Sequence, residues 1–146
     1  MMDTLALFMC MAGFVVGQGA VTVIDIHGFL GRKSSYWTEA TIRSHKVTKP
    51  LIWIGMILAV VGASVLYRNL PLEGTVLLQA CIAVVLVLNG CFLSFYISPK
   101  LLQRERAGLS RELLPMSMQI PITVSFAVSF AGWWSALFLL SMYVTQ

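Results

Sequence analysis

Four long apolar runs divide the chain, and short clusters of charged, Gly and Pro residues separate them. A helix needs about 20 apolar residues to cross a hydrocarbon core of roughly 30 Å. The runs at 5–27, 50–67, 75–97 and 119–144 are of that order. The second is short, and Lys49 and Arg68 at its ends can snorkel to the interfaces. The pattern predicts an all-α integral membrane protein, one domain over 1–146, with segments 28–49 and 98–118 on one side of the bilayer. The first run lacks the basic start of a secretory signal and is expected to be retained as a span.

The connections differ in character. Arg68 to Gly74 is a tight link punctuated by Pro71 and Gly74. Segment 35–48 is too long for a turn. Ser35 is placed to cap a helix, Glu39 falls in its first turn, and Arg43, His45 and Lys46 fall toward its end, as a helix dipole prefers. It reads as a cytoplasmic or interfacial helix leading to Pro50, which starts or kinks the second span. Segment 103–114 reads as a solvated basic loop.

Composition strengthens this picture. Charged residues make up only 11% of the chain, against roughly 25% in soluble domains, so lipid must serve as the solvent for much of the surface. Of the ten Lys and Arg residues, Arg32, Lys33, Arg43, Lys46 and Lys49 lie in the first connection and Lys100, Arg104, Arg106 and Arg111 in the third. Only Arg68 falls on the other side. The positive-inside rule then puts both connections in the cytoplasm and both chain ends outside, in a bacterial-type cytoplasmic (inner) membrane. The same bias accounts for the net charge of +4 without nucleic acid and disfavours dual-topology dimers. The first span also lacks the glutamate that small multidrug transporters carry there. Tyr36, Trp37, Trp53 and Tyr96 suit an inner aromatic belt, and Tyr67 and Tyr143 an outer one.

Close approach of small residues drives helix association in lipid. Gly13 and Gly17, then Gly55, Ala59 and Ala63, and finally Ser125, Ser129 and Gly132 form such stripes. They suit a four-helix antiparallel bundle, or a joint with other membrane subunits or a second copy.

The chemistry of the chain lies in its few intramembrane polar residues, each of which is costly unless paired. Gln18, Thr22 and Asp25 share one face of the first span, and His27 follows near its cytoplasmic end. Asn89 lies about 14 residues, or roughly 21 Å, from the outer end of the third span. Thr123 enters from the fourth. Asp25 either pairs with Lys46 or Arg43 at headgroup level or belongs to a pocket for a proton, ion or small ligand. Asn89 is either interhelical glue or a ligand contact. His27 and His45, near one face on neighbouring helices, have the donor type to hold both sides of a b-type haem iron. Cys10, Cys81 and Cys91 lie in apolar runs without CxxC spacing, so they read as packing residues and not as a metal site. No HExxH, phosphate-loop or GxSxG pattern is present, and no catalytic residue is assigned.

Gly17 followed by Asp25-Ile26-His27, a basic segment leading into Lys49-Pro50-Leu51-Ile52-Trp53-Ile54-Gly55-Met56, and Tyr96 before the basic run Lys100 to Arg106 form a recognisable layout. It resembles the small four-helix membrane proteins of the HemJ-type protoporphyrinogen oxidase and CopD-like group. That resemblance implies haem binding and a porphyrin-pathway or redox role, and only His27 carries over. The family's early histidine in the first helix and its lysine and histidine in the third are missing, with Gln79 and Asn89 at roughly the corresponding places. The expectation is therefore a non-enzymatic subunit or scaffold whose cations Arg32, Lys33, Arg43, Lys46 and Lys49 meet anionic lipid. The alternatives are a haem-binding protein, or a small ion or proton transporter using Asp25.

Overall fold

The structure, a computed structural model, describes residues 2–145, and these fold without a strand. Four helices dominate: α1 (Met2–Gly31), α2 (Ser35–Leu66), α3 (Gly74–Arg106) and α4 (Met116–Val144), each long and apolar enough to cross a membrane. The four predicted spans fall one in each. Two helices carry a π-turn, Phe14–Gln18 in α1 and Leu93–Ile97 in α3. Large apolar side chains such as Phe8, Val15 and Phe95 stay exposed on the outward faces, where lipid would cover them.

Three local expectations need correction. The segment before Pro50 is not a separate interfacial helix, because α2 runs unbroken from Ser35 to Leu66. Pro50 removes one backbone donor, but the helix continues through it, and α1 packs against α2 on both sides of it. The cap position falls on Ser34, in extended conformation (φ −139°), rather than on Ser35, and its side chain makes no cap hydrogen bond. Thr38, 1% exposed, closes that junction instead, its hydroxyl donating to the carbonyls of Gly31 (2.7 Å) and Ser34 (3.0 Å). Third, α3 continues to Arg106, so the basic loop is shorter than the sequence suggests. Gly108 turns it with φ +75°, a conformation that suits glycine.

Small residues decide which helices touch. A Cβ added to Gly13 would lie 2.6 Å from the Gly55 carbonyl oxygen and 2.5 Å from Ala59 N, and one on Gly62 would lie 2.7 Å from Ala6 O. α1 and α2 thus run in opposite directions at backbone contact, as Gly/Ala stripes permit. α3 and α4 are joined by polar groups: the Asn89 amide donates to Ser125 O (3.0 Å) and Ser129 Oγ (2.9 Å), and Ser125 Oγ donates back to Asn89 Oδ1. Phe14, Met56, Leu86 and Trp133 fill the middle of the core. Ile42, Ile97 and Leu101 fill its loop end. At the opposite end Arg68 pairs with Asp3 (2.7 Å), and the Tyr67 hydroxyl donates to Gln79 Oε1 (2.9 Å).

Candidate functional site

At the end of the molecule bearing the α1–α2 and α3–α4 connections, all four helices wall a cavity of about 110 Å³. α2 contributes Thr38, Thr41, His45, Lys49 and Ile52, a spacing of three or four residues that puts one helical face on the void. α1 brings Asp25, and α4 brings Gln119 and Thr123 from its first turns. Most of the remaining wall is apolar.

Two polar atoms point into this region without a partner. Asp25 Oδ2 and His45 Nε2 are both buried and make no hydrogen bond. The expected pairing of Asp25 with Lys46 or Arg43 does not form. Lys46 donates to Glu105 at 2.9 Å, and Arg43 to Glu39 at 2.6 Å, because both cations point to the solvated side of α2.

Lys49 turns inward instead, and its ammonium donates to the carbonyl of Ser94 (3.2 Å). That carbonyl is free for a backbone reason. In the π-turn, Ser98 N–H reaches past it to Leu93 O, and the next residue is Pro99, which has no N–H to offer. Trp53 Nε1 donates to the Ser94 hydroxyl (3.0 Å), so α2 and α3 are tied at one residue.

The polar residues expected to form one site separate into two groups. Asp25, His45 and Thr123 wall the cavity. Gln18 is buried deeper, and Thr22 donates to the Gln18 carbonyl within its own helix (2.8 Å). Asn89 serves the α3–α4 joint. His27 Nδ1 lies 3.1 Å from Ser44 Oγ with its ring 5.2 Å from that of Trp37, away from the cavity wall. The two histidines therefore do not face one void, and about 110 Å³ falls below the roughly 300–1,000 Å³ of pockets for cofactor-sized ligands. The residues as placed do not fit a b-type haem. Lys49 and Gln119 were not expected at a site; the spacing of Thr41, His45 and Lys49 was visible, but its inward facing was not.

A charged clasp covers the loop end of the cavity. Glu39 accepts from Arg111 Nε (2.9 Å) as well as from Arg43. The hydrogen bond and charge of Arg111, helped by Arg43, hold the Glu39 carboxyl below the ordinary glutamate range. Arg104 donates to the carbonyls of Glu112 and Leu113, both at 3.4 Å. These contacts hold residues 107–115 against α2 and α3, and Leu114 from that loop closes part of the wall. Of the cations expected to meet lipid, Arg32 lies over the Phe29 ring at 5.3 Å, while Arg43, Lys46 and Lys49 have the internal partners given above. Among the described residues no group of three His, Cys, Asp or Glu could hold a metal ion. No family model, curated protein or solved structure matches the chain.

Proposed function

We propose that the chain is an integral membrane protein, an antiparallel four-helix bundle with both ends outside and its basic connections in the cytoplasm, that exchanges a proton at Asp25 through the inner cavity. One observation carries this reading: Asp25 Oδ2 is buried and unpartnered in a void walled by four helices. A carboxylate withdrawn from water is costly without a counter-charge or hydrogen-bond donor. Lys46 and Arg43 are engaged elsewhere, and Lys49 is held by Ser94. A proton is the smallest species that meets the need, and the cavity has room for water to deliver it. The inner-membrane orientation rests on the nine basic residues of the two connections. A role as scaffold or subunit rests on exposed apolar faces alone, and lipid accounts for these equally well.

Infrared difference spectroscopy on the protein in nanodiscs tests the proposal. A pH jump should change a carboxylic C=O band that is absent in Asp25→Asn and retained in the exposed control Glu112→Gln. Identical spectra for the wild type and Asp25→Asn would refute it.

A further inference from the structure

The inner cavity does not end at Asp25. A second void of about 40 Å³ lies next to it and shares Ile24, Asp25, Ile52, Trp53, Gly90 and Leu93 with the first. A third, of about 390 Å³, lies between α2, α3 and α4 toward the opposite end of the molecule. The second and third have Met56, Leu86 and Trp133 in common. The three voids thus form a file along the helices, each sharing lining residues with the next.

The chemistry along the file is graded. His45, Thr41 and Lys49 line the first void. Asp25 stands at the junction, and Ser129 lines the second void, its hydroxyl held by Asn89. Tyr67, Gln79 and Ser64 line the third. Between the second and third stands an apolar contact: Trp133, Leu86 and Met56 are 2%, 4% and 6% exposed. Gly17 and Gly132 back this contact, since a Cβ on Gly17 would lie 2.6 Å from the Trp133 ring and one on Gly132 would lie 2.7 Å from the Leu86 side chain. Hydrophobic constrictions of this kind gate by excluding water. The middle void exceeds the 10–15 Å³ or so that one water needs.

We infer that the three voids form one proton path through the membrane, with Asp25 as its station and the Met56–Leu86–Trp133 contact as its gate; this rests on the proton-exchange reading of Asp25. A hydronium in the inner void gives its proton to the Asp25 carboxylate and leaves as water. The carboxylic acid passes that proton to a water beside Ser129, and the new hydronium crosses to the outer void when the three apolar side chains part. Each transfer is reversible, so the proton runs along the file in whichever direction the membrane potential drives it, inward across an inside-negative membrane, and no other reactant is needed. The titratable or charged groups sharing the inner void with Asp25 are Arg32, just past the end of α1, and His45 and Lys49 of α2; the walls from α3 and α4 add none.

Proteoliposomes with an entrapped pH dye and a valinomycin-set potassium diffusion potential test the path. Wild-type vesicles should acidify faster than empty ones, and Asp25→Asn should return the rate to that of empty vesicles. Leu86→Ala and Trp133→Ala should exceed the wild-type rate, each checked for monodispersity and helix content, with Met56→Ala in place of either that fails to fold. Rates at the empty-vesicle level in the wild type and in the folded gate variants, with the Asp25 infrared band still present, would overturn the path and leave the proton site standing. Loss of the band as well would overturn both. Conduction untouched by Asp25→Asn would overturn the assignment of the station.

Discussion

Gly17 and Gly55 meet backbone to backbone: a Cβ built on Gly55 would overlap the N and Cα of Gly17. The overlap is with main chain, which no rotamer change relieves. Gly55→Ala should therefore separate α1 from α2 at the level of Trp133 and destabilise the protein by about 1–3 kcal/mol, as overpacking does. Gly19→Ala is the matched control. A Cβ there meets nothing, and replacing a helical glycine by alanine gains roughly 0.5–1 kcal/mol. Steric-trapping or thermal-aggregation measurements in mild detergent should separate the two variants in opposite directions; equal behaviour would disprove the close approach.

Asn89 is the polar fastener between α3 and α4. Asn89→Leu removes donors to Ser125 O and Ser129 Oγ and the acceptor of Ser125 Oγ. Interhelical hydrogen bonds in membranes are worth about 0.6–2 kcal/mol each, so a loss at the upper end of that range is expected. Unchanged stability in the same assay would show the joint to be held by packing alone.

The four spans and the stripe Gly13, Gly17, Gly55, Ala59 were legible because membrane-length apolar runs and small-residue spacing act locally and repeat. The course of α2 through Pro50 was not, since the contacts of α1 on both sides of it are tertiary. The site was half legible. Asp25 announces itself as a costly polar residue in an apolar run, and the place of His45 just before the second span puts the two near one end. What the sequence hides is the partner choice. Lys46 and Lys49 differ by three residues, yet one reaches Glu105 and the other an orphan carbonyl. That carbonyl exists only because a π-turn precedes Pro99.

His27 and His45 are separated in role, and this bears on the haem expectation. With His27 against Ser44 and Trp37 and His45 toward the cavity, purified protein titrated with haemin should show no saturable six-coordinate low-spin spectrum. A stoichiometric bis-histidine spectrum, lost in His27→Ala or His45→Ala, would contradict the arrangement described for α1 and α2.

The Glu39 clasp has a defined pH signature. Its native carboxyl titrates below the ordinary glutamate range because Arg111 and Arg43 favour the charged form. The stabilisation is fully present above that range and is lost as pH falls through the lowered native value. Between about pH 6 and pH 3 the wild type should therefore lose more thermal stability than Glu39→Gln, which lacks the titrating group. High salt should reduce the difference, since the pairs are exposed. Parallel losses in both proteins would show that Glu39 does not hold the loop.

Orientation decides whether the proton site proposed at Asp25 would open to the cytoplasm, and two engineered cysteines settle it. Lys33 lies in the link between α1 and α2, beside the inner cavity, and Glu73 in the link between α2 and α3 at the opposite end. With Cys10, Cys81 and Cys91 replaced by alanine, Glu73→Cys should react with a membrane-impermeant maleimide on intact cells. Lys33→Cys should react only after permeabilisation, because the basic residues beside it are retained inside. The reverse pattern would turn the bundle over and open the Asp25 cavity to the outside. A mixture of both patterns would mean that five cations in 32–49 against Arg68 alone in the next link are too weak a bias to orient the chain.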